Sequence, residues 1–119
     1  MRDFRTLLVW EKAHKVTLAV YAATKNFPRE ELYGLVSQMR RSSASVPTNI
    51  AEGCGREGDA ELARFSQIAM GSASELEYQL LLAHDLGFLD RATYQRLHAD
   101  LLEVKKMLNA FIQRLRGRN

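Results

Sequence analysis

The sequence predicts an all-α protein. It reads as an antiparallel up-and-down four-helix bundle, a single domain over 1–119, with a second helix bent at a proline. Three observations predict it. Apolar residues recur at three- and four-residue intervals over four long stretches, the spacing of helices with one buried stripe. Short breaks separate the stretches, at Phe27-Pro28, between Gly53 and Gly58, and at Gly87, and short connections make successive helices antiparallel neighbours. No stretch alternates apolar and polar residues as a half-buried strand does. The 46% hydrophobic and 26% charged fractions are those of a water-soluble globular chain. No apolar run approaches the roughly 18 residues of a membrane span.

The first element is expected over Val9 to Lys25. Its core stripe is Val9, Ala13, Val16, Val20 and Ala23, reaching Phe27, with Phe4, Leu7 and Leu8 tucked against it from a short arm. A second apolar stripe, Trp10, Thr17 and Tyr21 with Leu18 further round, marks a second contact or a subunit interface. Phe27-Pro28 stops this helix, because the residue before proline resists the helical region. The second helix runs from Gly34 to about Arg56, ended by Gly53, Gly55 and Gly58 in left-handed conformations. The third starts at an Asp59 N-cap and carries Leu62, Phe65, Ala69, Ser72 or Ala73, Leu76, Leu80 and Ala83 inward. The fourth is capped by Asp90 and carries Tyr94, Leu97, Leu101, Val104, Leu108, Phe111 and Leu115, fraying from Arg116.

The second helix contains the chain's most unusual stretch, Gln38 to Arg56. Pro47 lies in its interior, where proline removes a hydrogen bond and costs about 3 kcal/mol. Ser42, Ser43, Ala44 and Ser45 precede it, small enough to admit a close neighbour. Folding the chain back at Gly58 sets Ser45 opposite Gly71, Ser42 opposite Ser74 and Arg41 opposite Glu75. Folding it at Phe88 sets Leu76 opposite Leu101 and Leu80 opposite Leu97. Arg41, Asn49, Glu52 and Glu75 are therefore read as a structural polar network, with Arg41 paired to Glu75 and Arg40 the freer arginine.

Charge is unevenly spread. Residues 1–56 carry nine Lys/Arg and five Asp/Glu, residues 57–103 three and nine, and residues 104–119 five and none. A basic end follows Glu103, suited to phosphate or an acidic partner and equally to a helix C-terminus. The single cysteine, Cys54, excludes an internal disulfide, and the N-terminus lacks a signal-peptide pattern, so a cytoplasmic protein is expected. Catalysis finds no constellation. His14, His84 and His98 lie on three helices without ligand spacing, Glu11-x-x-His14 is not repeated, and Cys54 sits at the wrong end of a helix for thiolate activation. No metal, no cofactor and no membrane contact is predicted.

Trp10-Glu11-Lys12-Ala13, Phe27-Pro28, Tyr33-Gly34-Leu35, Gln38-Met39-Arg40-Arg41, Ser45 to Gly53, Arg56, Arg64-Phe65, Ala69, Gly71-Ser72 and Glu75-Leu76-Glu77 together resemble the 23S ribosomal RNA intervening-sequence protein family, also called the S23 ribosomal protein family. Val46 and Thr48 stand where Ile and Ser are common. The resemblance implies a four-helix bundle assembled as a ring-shaped homopentamer. Members are encoded in intervening sequences of bacterial large-subunit ribosomal RNA genes and elsewhere in bacterial genomes. A related branch consists of accessory proteins of diversity-generating retroelements, which assist reverse transcriptases and in which a basic pentamer surface is implicated in nucleic-acid binding. The family offers no agreed catalytic residues.

Two functions follow as expectations. One is a non-enzymatic oligomer that binds RNA or DNA through Lys12, Lys15, Arg40, Lys105, Lys106, Arg114, Arg116 and Arg118, reading backbone or shape because no base-reading motif is present. The other is an adaptor that holds a protein partner, a nucleic-acid-processing enzyme, without touching nucleic acid. Trp10, Leu18 and Tyr21 are assigned to the oligomer interface, with the adaptor contact as the competing use of the Trp10–Tyr21 stripe.

Overall fold

A computed structural model describes residues 2–118. It contains helices α1 (Leu8–Thr24), α2 (Ser37–Cys54), α3 (Asp59–Asp85) and α4 (Arg91–Leu115). α1 packs on α2 and α4, and α3 packs on α2 and α4, so α1 and α3 lie diagonally opposite. The bundle measures 44 × 25 × 20 Å. Its centre is the predicted stripes: Val20, Met39, Ile50, Ala69, Leu76, Leu80 and Leu108 are wholly buried. No helix among the described residues is long and apolar enough to cross a membrane.

The helix starts differ in detail from the sequence pattern. Between Pro28 and α2 the chain makes a 3₁₀ turn, Arg29–Glu31, and a π-turn, Leu32–Val36, before regular α-geometry begins at Ser37. The Glu31 carboxylate accepts from Leu35 N at 3.2 Å and holds that wider turn. α3 is entered through Gly58 rather than Asp59. Asp59 is already helical, and its carboxylate bonds the Arg2 guanidinium at 3.0 Å instead of capping. Asp90 does cap α4, accepting from Thr93 N at 2.7 Å.

The glycines divide by task. Gly53 is interior to α2 and does not end it. A Cβ there would lie 2.9 Å from Leu62 Cδ1 and from Phe65 Cβ, so its missing side chain is what lets α2 and α3 approach. Gly87, at φ 83°, closes α3: Phe88 N donates to Ala83 O at 2.9 Å and Gly87 N to His84 O at 2.9 Å. Gly117 repeats that arrangement after α4, with Arg118 N on Gln113 O at 2.8 Å. The end of α4 is therefore capped through Arg118 rather than frayed; Asn119 lies outside the described residues.

The small residues of α2 meet α3 as folding back at Gly58 requires. Ser45 Oγ and Ser72 Oγ are 2.8 Å apart, and Asn49 Nδ2 donates to Ser45 O and Ser45 Oγ at 2.8 and 2.9 Å. Gly71 is the exception, exposed and touching nothing across the interface. In the arm, Phe4 packs edge-on to Trp10 at 4.8 Å, whereas Leu8 turns outward and is exposed.

Candidate nucleic-acid interface

The eight cations singled out by the sequence do not share one environment. Lys105 is half-buried, and its ammonium sits 2.6 Å from Glu77 Oε1 across the α3–α4 seam. His98 Nε2 approaches the other oxygen of Glu77 at 3.5 Å. The Lys105 hydrogen bond, opposed by partial burial, holds the Glu77 carboxyl below its usual range. An ammonium fixed in this way is a structural tie, poorly placed to release counterions from a phosphate chain. Lys15 pairs with Glu11 one turn back at 3.2 Å. Lys12 shares a shallow groove with Asp100 and Glu103 of α4, so its field is partly cancelled.

Arg40 and Arg41 exchange the roles expected of them. Arg40 Nε donates to Thr24 Oγ1 at 2.9 Å and its NH2 group to Tyr21 O at 3.3 Å, with the guanidinium 4.8 Å from the Tyr21 ring centroid. It clamps the end of α1 to α2. Arg41 is exposed and makes no ion pair with Glu75. Successive residues on a helix point about 100° apart, so a one-residue step carries Arg40 to the α1 seam and Arg41 out to solvent. The contact foreseen for Arg41 is made by other residues. Ser42 Oγ donates to Gln79 Oε1 at 2.6 Å, and Gln79 Nε2 donates to Glu75 at 3.3 Å. Glu52 lies outside this network and pairs with Arg56 at 3.2 Å on the surface.

Lys106, Arg114, Arg116 and Arg118 remain. All are exposed, and none makes an ion pair among the described residues. Arg114 lies 5.9 Å from the Phe111 ring centroid, close enough to rest on it while its charge faces water. Arg116 and Arg118 follow the closed end of α4, so their backbone positions are set by the Gly117 turn. This end of the bundle also carries Arg2, Arg5, Arg56 and Arg64, each matched to a carboxylate.

The histidines and the thiol are all engaged in packing. His14 stacks on Trp10 at 5.0 Å, and His84 and His98 each stack on Tyr94, at 4.6 and 5.6 Å. Cys54 is buried, and burial pushes its thiol up despite Arg2 nearby. No cluster of His, Cys, Asp or Glu among the described residues has the make-up of a metal site.

The stripe on α1 divides. Thr17 turns into the α1–α2 seam and is buried, Trp10 is half-buried between Phe4 and His14, and Leu18 and Tyr21 are exposed. Phe4, Trp10 and His14 face Ala44, Pro47 and Ala51 of α2 across an open groove of about 290 Å³.

The family model of the 23S rRNA-intervening sequence protein matches residues 5–110, nearly the whole bundle. The chain belongs to that family. A solved member-like structure is the 1.70 Å crystal structure of a protein of unknown function from the S23 ribosomal protein family of Bacteroides thetaiotaomicron VPI-5482. It matches with a TM-score of 0.82 at 25% identity, covering 89% of this chain and 96% of that one. No curated protein matches the chain. The family's description names an RNA gene context and no reaction. The candidate site therefore rests on this chain's own charges.

Proposed function

We propose that this 23S rRNA-intervening sequence family protein is a non-enzymatic cytoplasmic homo-oligomer, a homopentamer by family resemblance, that binds nucleic acid through the cations beyond Glu103. The observation that carries the reading is the exposure of Lys106, Arg114, Arg116 and Arg118 without carboxylate partners among the described residues. Lys12, Lys15, Arg40 and Lys105 drop from first rank because each is compensated or tied within its own bundle. In a ring every remaining cation is repeated around the axis, which turns a modest local charge into a field able to collect a phosphate backbone.

The test is binding of a labelled structured RNA and a matched DNA duplex across a salt series, with the protein's mass followed by light scattering in the same buffer. Binding should weaken steeply with salt and be lost in the variant carrying K106Q, R114Q, R116Q and R118Q. The RNA-to-DNA ratio identifies the preferred acid. An intact oligomer that binds neither acid at low salt overturns the reading. The open groove beside Trp10 would then favour the adaptor function, with a protein partner on that face.

A further inference from the structure

Among the described residues every Lys and Arg is exposed except Lys105 and Arg40, which are half-buried. Lys105 is answered by the Glu77 carboxylate at 2.6 Å. Arg40 has no carboxylate among the described residues. Its Nε donates to the Thr24 hydroxyl, its Nη2 to the Tyr21 carbonyl, and its guanidinium lies 4.8 Å from the Tyr21 ring centroid. These partners are neutral. They fix the guanidinium in place and leave its charge unopposed. The Nη1 amino group has no acceptor among the described residues. A cation taken partly out of water without a counter-charge is costly. A planar guanidinium held in one orientation is also well shaped to bind two oxygens of an anion at once.

Arg40 borders a pocket of about 340 Å³ at the break between α1 and α2, a volume in the range of small-molecule sites. Phe27-Pro28 ends α1, and the chain crosses to α2 through the 3₁₀ turn and the π-turn, a kind of turn that recurs at functional sites. Phe27, Pro28 and Leu32 give the pocket an apolar wall, with Leu32 46% exposed. Lys25 and Arg29 line it together with Arg40, and neither makes an ion pair among the described residues. Neither Glu30 nor Glu31 lines it, and Glu31 is engaged with Leu35 N at 3.2 Å. The shallow groove at Lys12 and Lys15 differs, because Asp100 and Glu103 share its lining.

We propose that this pocket binds an organic phosphate monoester with a flat aromatic body, one phosphorylated nucleoside in size. The phosphate oxygens meet Arg40, Lys25 and Arg29, and the ring lies against Pro28 and Leu32 over Phe27. The phosphate supplies the counter-charge that Arg40 lacks, and the ring covers Leu32. A ring freezes fewer rotors on binding than an alkyl chain of equal size. Bare phosphate would satisfy only the cations, and an uncharged ring only the wall. The same chemistry comes from two sources, a free mononucleotide or the phosphorylated end of a strand. The pocket is separate from the cations beyond Glu103. Arg114 lies beside Leu7 and Leu8, where α1 begins, whereas the pocket lies where α1 ends.

Titration calorimetry of the full chain tests this, with adenosine 5′-monophosphate, adenosine and inorganic phosphate as probes. The monophosphate should bind at one site per chain, and adenosine and phosphate at least about tenfold more weakly. The K25Q/R29Q variant alters two exposed side chains. Its helix content and unfolding midpoint should match wild type while its affinity for the monophosphate falls by about tenfold or more. The variant carrying K106Q, R114Q, R116Q and R118Q should bind the monophosphate as wild type does, so failure here and failure of the nucleic-acid reading above are told apart. A monophosphate bound no more tightly than adenosine and phosphate, or bound equally well by K25Q/R29Q, overturns the proposal. A short single strand with a 5′-phosphate is then compared with its 5′-hydroxyl twin. A preference for the phosphate that K25Q/R29Q abolishes assigns the strand end as the source, and equal binding of the two strands assigns the free nucleotide.

Discussion

The Thr17 hydroxyl of α1 lies 2.8 Å from the Ser43 carbonyl of α2 and donates to it. Ser43 is four residues before Pro47, so it is the carbonyl that a proline in the helix leaves without its N–H donor. The neighbouring helix supplies the missing hydrogen, and α2 continues from Ser37 to Cys54 with Pro47 buried inside it. The other oxygen in reach of Thr17, Ala13 O at 3.1 Å, belongs to its own helix.

Thr17→Val keeps the shape and removes the donor. It should destabilise the fold by about 1–3 kcal/mol, the cost of a buried carbonyl left unpaired. In a Pro47→Ala background residue 47 regains its N–H, and the same Thr17→Val change should cost much less. Urea unfolding of the four proteins in this cycle gives the coupling directly. Additive effects would mean that Thr17 does not replace the proline's donor.

Gly53→Ala should destabilise by about 1–3 kcal/mol, because its Cβ would press on Leu62 and Phe65 at 2.9 Å in a packed interface. Gly71→Ala, on the same pair of helices but facing open space, should raise the stability of the isolated chain by about 1 kcal/mol. Opposite signs in the denaturation midpoints of the two variants, each measured as a monomer, are the expected result.

The Glu77–Lys105 tie predicts a pH dependence. The folded carboxyl sits below its ordinary value of 4.5, chiefly through the Lys105 hydrogen bond. The unfolded chain therefore takes up a proton first as pH falls. The stabilisation is complete above about pH 4.5 and is lost as pH drops through the lower folded value. Glu77→Gln should be less stable than wild type at neutral pH by about 1 kcal/mol, modest because the carboxylate is a third exposed. The gap should close on acidification, read from urea midpoints at neutral pH and near pH 3.

Lys105→Gln and Lys106→Gln should separate stability from affinity. Lys105 is bound to Glu77 and half-buried, whereas Lys106 is exposed and unpaired among the described residues. Lys105→Gln should lower the unfolding midpoint and leave nucleic-acid affinity nearly unchanged. Lys106→Gln should leave the midpoint alone and reduce the salt slope of binding by about one counterion per chain in contact. Equal losses of affinity would return Lys105 to the interface.

Much of the site was hidden for a local geometric reason. Arg40 and Arg41 are chemically identical neighbours in sequence, and only the rotation of α2 in the bundle sends one to Thr24 and the other to solvent. The register that sets Leu76 opposite Leu101 brings Glu77 to His98 but not to Lys105, which lies further along α4, so the Glu77–Lys105 pair was not legible from it. Gly71 reads in the sequence as a packing residue opposite Ser45 until the open space around it is known.

The sequence by itself determined the four helices, their order, the buried stripes and the antiparallel folding of successive helices. Those properties follow from three- and four-residue periodicity and from where proline and glycine interrupt it, which are features of short segments. Tertiary structure alone decided the partners of the polar groups: Thr17 with Ser43, Ser42 with Gln79, Arg40 with Thr24. A hydrogen bond is lost with a shift of about 1 Å or a few tens of degrees, whereas burial of an apolar stripe tolerates both. Apolar pattern is therefore legible along a chain, and polar pairing becomes legible only once helices are set against one another.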